Sequence, residues 1–201
     1  VLLVRAERYL DGNVLPLADG AVVGTSSLRR AAQLRNIMPS LEIRPLRGNV
    51  PPRIRRLREG RFDAIVLARA GLARLETDTF GLIEFTLPYS YFLPAPAQGA
   101  LAVQVRAGDS GLYDIIRGLN DPETEDSVAA ERRFLERFGG GCHVPLGALA
   151  YRSGDVLHLT GLVASVDGTR LIRKSVDGGD PALTGERLAD LLKQEGADAL
   201  L

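Results

Sequence analysis

Three short apolar runs in the first half of the chain are each followed by a polar turn and a helix-forming segment. The runs are residues 21–23, 41–46 and 62–68, and the helical segments begin near Leu28, Pro51 and Ala70. Strands that are covered by helices on both faces are apolar throughout rather than alternating. The repeat therefore predicts a parallel or mixed α/β sheet, to which the apolar run Val1–Val4 adds a further strand.

The carboxyl-terminal part of the chain has a different pattern, typical of antiparallel strands. Turn residues at 153–155 and 167–168 separate three strand-like runs, which are residues 146–151, 156–164 and 170–176. A helix is predicted from Asp121-Pro122 to Phe138, and a final helix is predicted to be capped by Thr184, with Leu183 and Leu188 forming a hydrophobic staple. These elements predict a small α+β domain with an antiparallel three-stranded sheet.

The two patterns meet in a proline-rich stretch. Residues 93–99 read Leu-Pro-Ala-Pro-Ala-Gln-Gly, which is typical of an extended crossover, and Ala100 to Val105 is predicted to be another strand. We therefore place a candidate domain junction here.

The charges are segregated, although the whole chain has 25 basic and 25 acidic residues. Residues 29–74 contain twelve arginines and three acidic residues, a net charge of +9, so the remainder carries −9. Guanidinium groups bind carboxylates through paired hydrogen bonds, so this half is predicted to bind an anionic ligand. The alternative is that arginine is merely the preferred cation of a chain with only two lysines; we assign that interpretation to four arginines, which are Arg55, Arg56, Arg58 and Arg61.

The candidate anion-binding residues follow the ends of the predicted strands, where ligands of parallel α/β sheets bind. The turn Gly24-Thr25-Ser26-Ser27 opens a helix that carries Arg29 and Arg30, so backbone amides, hydroxyls and guanidiniums converge there. Arg47 and Arg53 flank the next turn, and Arg74 lies beyond the third strand.

The single cysteine, Cys142, follows three consecutive glycines, which leave its sulfur few neighbouring side chains to shield it. This loop is a candidate for covalent chemistry, whereas the alternative is an inert thiol that behaves as a small hydrophobe. One cysteine excludes an internal disulfide, and with only two histidines no metal-site spacing exists, so we expect no metal. His143 and His158 are interpreted as structural.

Four segments together closely resemble the porphobilinogen deaminase family, also called hydroxymethylbilane synthases. They are Gly24-Thr25-Ser26-Ser27-Leu28-Arg29-Arg30, Leu46-Arg47-Gly48-Asn49-Val50, residues 93–100, and Gly140-Gly141-Cys142-His143-Val144-Pro145-Leu146-Gly147. The resemblance spans essentially the whole chain.

The resemblance implies a periplasmic-binding-protein-like domain over residues 1–98 and a segment, 99–116, that returns to a largely missing first domain. Residues 117–201 would form the C-terminal α+β domain that carries the cysteine. Because the chain starts at Val1 without an initiator methionine, we expect residues to precede it.

The activity implied by the resemblance is that of a transferase of tetrapyrrole and heme biosynthesis. Four porphobilinogen molecules are deaminated and joined head to tail into hydroxymethylbilane on a dipyrromethane primer, which is attached to Cys142 through a thioether. The family positions for cofactor binding are Ser27, Arg29, Arg30 and Arg47, and those for substrate binding are Thr25, Arg53, Arg74 and Gln98.

No catalytic residue can be assigned in this chain, because the resemblance places the essential aspartate in the missing amino-terminal portion. We therefore predict that these 201 residues alone cannot turn over. The expected protein is cytoplasmic and has no nucleic-acid or membrane partners, since the net charge is zero and no signal peptide or membrane-spanning run is present. A monomer is expected because the sequence has no obvious exposed apolar stripe. Two alternatives are a non-catalytic anion-binding module of the same fold and a separately encoded fragment that pairs with another chain.

Overall fold

The computed structural model describes residues 1–141 and 144–201 and contains two β-sheets. The first is a five-stranded mixed sheet formed by β1 (Leu2–Arg5), β2 (Val22–Gly24), β3 (Glu42–Arg44), β4 (Ala64–Val66) and β5 (Leu82–Phe85). Its strand order is β3-β2-β4-β1-β5; β3, β2 and β4 are parallel, whereas β1 is antiparallel to both β4 and β5. The predicted parallel or mixed sheet is thus confirmed.

Helices cover this sheet as the repeating pattern predicts. They are α1 (Leu28–Ile37), α2 (Val50–Arg58) and the short α3 (Arg69–Arg74). Two apolar cores lie against the sheet, one built around Leu2, Val23 and Leu34, and the other around Leu3, Ile54 and Ile65. All six side chains are nearly inaccessible to solvent, which explains why the strands are apolar throughout.

The second sheet is antiparallel and three-stranded, as predicted. Its strands β6 (Leu146–Ser153), β7 (Val156–Ala164) and β8 (Leu171–Gly178) pair in the order β6-β7-β8. One face packs against α5 (Pro122–Glu136) and α6 (Pro181–Gln194) around the fully buried Phe134 and Leu188. A single turn of 3₁₀ helix at Ala6–Arg8 and another at Ala197–Leu200 complete the regular structure, together with α4 (Ser110–Arg117).

The prediction of a strand at Ala100–Val105 is wrong. The backbone there forms no strand, and Leu101 and Val103 are exposed. A strand needs a neighbour for its amides and carbonyls, and none of the strands in the described ranges lies beside this segment.

The predicted cap of the last helix is also wrong. Asp180 is the cap, and its carboxylate accepts a hydrogen bond from the Leu183 amide at 2.8 Å, while Pro181 takes the first helical position. Thr184 lies inside the helix and donates to the Asp180 carbonyl, and Leu183 is exposed, so it forms no staple.

The two sheets are connected through α1 and the crossover that follows β5. The Asn36 side-chain amide donates to the Gly168 carbonyl at 3.1 Å, and Arg173 donates to the Tyr89 carbonyl at 2.8 Å. A small apolar cluster fills the contact between them, and its members are Ala32, Leu93, Leu162 and Ala164. The junction between the two sheets is therefore packed through both apolar contacts and hydrogen bonds.

Candidate anion-binding site

The turn between β2 and α1 is fixed by its own hydroxyl groups. Ser27 caps α1 by accepting a hydrogen bond from the Arg30 amide at 3.4 Å, and the buried Thr25 hydroxyl accepts from the Ser27 amide at 3.2 Å. Ser26 pairs with both backbone groups of Leu46, at 3.0 and 3.1 Å, which ties this turn to the loop after β3. The predicted roles of Thr25 and Ser27 in ligand binding stay predictions; both have a local structural role.

Arg29 is buried, with 7% of its surface exposed, and it points to the crossover. Its guanidinium donates to the Leu93 carbonyl and, at 3.3 Å, to the side-chain oxygen of Gln98. Burial and the neighbouring Arg30 lower the pKa of Arg29 to about 9, so the side chain is still a cation at neutral pH. The structure thus brings Arg29 and Gln98, both predicted from sequence, into direct contact.

Arg30 lies in the first turn of α1, and Arg53 lies in the first turn of α2. The Arg30 guanidinium donates to the Val66 carbonyl at the end of β4, at 2.9 Å, and Arg53 donates to the Gly48 carbonyl at 2.7 Å. Desolvation, followed by the charge of Arg53, lowers the pKa of Arg30. These two cations are close enough to affect each other, which favours a ligand that carries more than one negative charge.

Two adjoining cavities connect these arginines into one cleft. The first, of about 370 Å³, is lined by Arg29, Arg30, Arg69 and Gln98, among others. The second, of about 570 Å³, is lined by Arg30, Asn49 and Arg53, among others, and the two share Arg30, Leu67 and Ala68. The cleft lies at the carboxyl ends of β2, β3 and β4, where the sequence predicts it.

The arginines of the basic stretch differ in their partners. Arg44, Arg58 and Arg61 form ion pairs with Glu42, Asp78 and Glu59 at the surface. In the described part of the chain, no carboxylate lies within ion-pair distance of the cleft arginines, which are Arg29, Arg30, Arg53 and Arg69. Of these four, Arg29 is buried, Arg30 and Arg53 are half-buried, and Arg69 is exposed. A desolvated cation without a protein anion is costly unless a ligand neutralises it, which applies most strongly to Arg29.

Two other predicted arginines lie away from this cleft. Arg74, at the end of α3, lines a separate cavity of about 980 Å³ with residues 99–102 and α5. Arg47 is exposed, and its carbonyl accepts a hydrogen bond from Arg56 at 2.8 Å. The predictions made for Cys142 and His143 fall outside the described residues.

Sequence reasoning missed three residues of the site and its surroundings. Arg69 begins α3, three residues after the end of β4, and its place directly after a predicted strand is the signal that could have indicated it. Gln33 is fully buried and lies one helical turn after Arg29, where the spacing of four residues is the signal. Glu131 carried no signal, because it is one of many charges on α5 and its partners are distant backbone amides.

No group of three or more metal-binding side chains occurs within residues 1–141 and 144–201. His158 instead pairs with Asp177 at 2.7 Å and stacks on Tyr151. In the same ranges, no helix has both the length and the apolar character needed to cross a membrane.

An α/β fold with an arginine-lined cleft at the carboxyl ends of its parallel strands defines an anion-binding protein. Comparison with known families is consistent with that class. The family model described as porphobilinogen deaminase, dipyromethane cofactor binding domain, matches residues 2–114, and the model of the porphobilinogen deaminase C-terminal domain matches residues 126–194. The chain belongs to the porphobilinogen deaminase family, as the resemblance predicted.

Several curated relatives are similar over most of the chain. A porphobilinogen deaminase of Roseiflexus castenholzii is 48% identical over 187 residues, which is 92% of this chain and 61% of the relative. That of a Nostoc species is 43% identical over 201 residues, covering 99% of this chain and 62% of the relative. That of Listeria monocytogenes is 42% identical, covering 92% and 60%. The chain thus spans about three fifths of the length of the relatives that it matches.

Proposed function

We propose that the polypeptide containing this chain is a porphobilinogen deaminase, a transferase of tetrapyrrole biosynthesis. It would join four porphobilinogen molecules head to tail into hydroxymethylbilane, with release of ammonia at each joining step. The observation that carries the proposal is the arginine-lined cleft in a chain whose two halves match the two deaminase family models. Each pyrrole of the substrate carries an acetate and a propionate, so the growing product is a polycarboxylate that such a cleft suits.

The cleft also fits a dipyrromethane cofactor, because the desolvated guanidiniums of Arg29 and Arg30 have no carboxylate partner among the described residues and the cofactor's carboxylates would neutralise them. When bound, this group supplies the covalent primer on which the chain of pyrroles grows. Arg29 and Arg30 would hold its carboxylates, with Ser27 at the helix start, while Arg53 and Thr25 would serve the incoming substrate. Arg47, Arg74 and Gln98 complete the proposed set.

We assign the thioether attachment to Cys142. The support is its position in the sequence, directly after Gly139-Gly140-Gly141 and within the range that matches the deaminase C-terminal domain model. A covalent anchor keeps intermediates at the site and makes each joining step effectively intramolecular.

The domain division proposed here is a periplasmic-binding-like domain over residues 1–98, a return segment over 99–116 and a C-terminal domain over 117–201. The mixed five-stranded sheet and the exposed Leu101, Val103 and Ile115 support it, since the return segment has little apolar contact of its own. Because the chain spans only about three fifths of its relatives, we propose that the catalytic aspartate lies in the remaining part and that these residues alone do not turn over. A cytoplasmic monomer with no nucleic-acid or membrane partner completes the proposal.

The decisive experiment uses the full-length polypeptide and its Cys142→Ser variant. Denatured intact mass and an acidic aldehyde reagent for pyrroles measure the covalent cofactor, and loss of porphobilinogen measures turnover. We expect the native protein to carry extra mass and to colour with the reagent, and the variant to show neither.

If the full-length protein has only the mass of the unmodified polypeptide, gives no pyrrole colour and consumes no porphobilinogen, it would be a non-catalytic anion-binding module instead. A Cys142→Ser variant with undiminished pyrrole content would contradict the attachment site alone.

A further inference from the structure

Gln33 is a fully buried polar residue of α1 whose side chain forms hydrogen bonds with both backbone groups of one crossover residue, Leu93. Its side-chain oxygen accepts a hydrogen bond from the Leu93 amide at 2.7 Å, and its side-chain nitrogen donates to the Leu93 carbonyl at 3.1 Å. Leu93 is itself fully buried, so these backbone groups have no access to water. An amide side chain is well suited to this pairing because it carries a donor and an acceptor side by side.

The same carbonyl orients Arg29. The Leu93 carbonyl accepts from the Arg29 guanidinium as well as from Gln33, and the Gln33 side chain also donates to the carbonyl of Arg29 at 3.3 Å. One side chain therefore holds both the backbone of Arg29 and the group against which its guanidinium is oriented.

The other end of the crossover is held from the second sheet. The buried Glu131 of α5 accepts hydrogen bonds from the amides of Ala97 and, at 2.7 Å, of Ala150. Ala97 adopts a left-handed backbone with φ of 60°, which is uncommon for a residue other than glycine. Next to it, Gln98 accepts the second hydrogen bond of Arg29. Glu131 thus holds the Ala97 end of the crossover, while Gln33 binds both backbone groups of Leu93 at the other end.

We propose that Gln33 is a positioning residue for Arg29 in the deaminase reaction, acting through the Leu93 carbonyl. It keeps the guanidinium on the crossover, so that its remaining N–H groups face the cleft. This inference rests on the proposed function, in which Arg29 binds a carboxylate of the cofactor.

The test is a double-mutant cycle in the full-length protein with Gln33→Met and Arg29→Lys. Methionine preserves the shape of glutamine but removes its donor and its acceptor. We expect Gln33→Met to lower kcat/KM about tenfold in the native background and by less than about twofold in the Arg29→Lys background. Additive losses in both backgrounds would overturn the inference, because they would indicate a merely structural role.

A second readout needs no turnover. Phenylglyoxal modifies accessible guanidinium groups, and peptide mass analysis gives the rate at each arginine. We expect Gln33→Met to speed modification of Arg29 relative to Arg152, which is also mostly buried but lies away from the cleft. An unchanged ratio would contradict the inference, whereas a native protein that consumes no porphobilinogen would contradict the proposed function.

The matched control is Gln194→Met, the same change at an exposed residue at the end of α6, which is expected to leave both readouts unchanged. If Gln33→Met does not fold, Gln33→Glu replaces it. Its carboxylate can still accept from the Leu93 amide but attracts the Arg29 guanidinium away from the carbonyl. We expect it to lower kcat/KM as well, and full activity would again overturn the inference.

Discussion

Arg30 combines burial, a positive charge and the lack of any carboxylate partner among the described residues. Replacing it with methionine should therefore remove ligand binding without removing stability. We expect Arg30→Met to lower kcat/KM of the full-length protein about tenfold or more, since a hydrogen bond to a charged group is worth about 1.5–3 kcal/mol. The free energy of unfolding should change by less than about 1.5 kcal/mol, because removal of a desolvated cation offsets the loss of the hydrogen bond to the Val66 carbonyl.

Arg58→Met is the matched control, because Arg58 is an exposed arginine of the same basic stretch and pairs with Asp78 at 2.8 Å. Such surface pairs contribute little, so the free energy of unfolding should change by less than about 1 kcal/mol and kcat/KM by less than about fivefold. Equal loss of activity in the two variants, measured by porphobilinogen consumption, would contradict the assignment of Arg30 to the cleft.

Glu131 gives a pH dependence of known sign. Desolvation raises its pKa above the ordinary value of 4.5, although the two amide hydrogen bonds oppose the shift. Between 4.5 and the raised pKa the folded state holds more protons than the unfolded state, so stability falls as pH rises through this window. We expect the melting temperature of the native protein to fall across this pH window relative to that of Glu131→Gln, which cannot titrate at this position. If the difference between the two melting temperatures is the same at every pH, the raised pKa is contradicted.

The sequence alone could place those site residues that directly follow a predicted strand. Arg29 and Arg30 come after a short strand and a capping turn, so their place in the cleft could be read from order alone. Arg74 could not be placed in the same way, because α3 is six residues long and its last residue points to a different cavity. Gln33 and Glu131 act on the backbone of distant residues, which no local pattern reveals.

Helix α6 contains a glycine at the point where it crosses α5. A Cβ atom at Gly185 would lie 2.6 Å from the Ala130 carbonyl oxygen and 2.9 Å from Cβ of Arg133. Gly185→Ala should therefore separate the two helices and cost about 1–3 kcal/mol of unfolding free energy in denaturant titrations. Gly111→Ala in α4 is the control; nothing lies within 4 Å there, so the same change should be neutral or stabilising. Equal effects of the two changes would contradict the close helix contact.

At the level of elements, the sequence predicted the parallel units, α5 and both hairpins, because each has a local signal. It missed β5 and α4: the apolar residues of β5 are only partly buried, and α4 buries none of its residues. The cap of α6 was misassigned because Asp180-Pro181 and Thr184 are both acceptable caps, and the choice depends on where the helix packs. The expected strand at Ala100–Val105 needs a neighbouring strand, which a local run of apolar residues cannot supply.

The contact between the two sheets can be tested with two hairpin glycines. Gly154 and Gly168 both have positive φ, 58° and 79°, so alanine strains the turn at either position. Only at Gly168 would the new Cβ meet α1, 2.5 Å from the Ala32 carbonyl oxygen. We expect calorimetry to show one transition for Gly154→Ala and two partly separated transitions for Gly168→Ala, because the second change loosens the contact between the sheets. Identical thermograms would contradict a packed contact at this turn.

The position of β1 in the five-stranded sheet has a consequence for synthesis on the ribosome. This strand comes first among the five, yet both of its neighbours, β4 and β5, lie at least 59 residues later, at Ala64–Val66 and Leu82–Phe85. Leu2 and Leu3 are fully buried in the finished sheet. While the intervening chain is being made, this apolar segment lacks both of its strand partners, β4 and β5, and can pair wrongly or bind a chaperone.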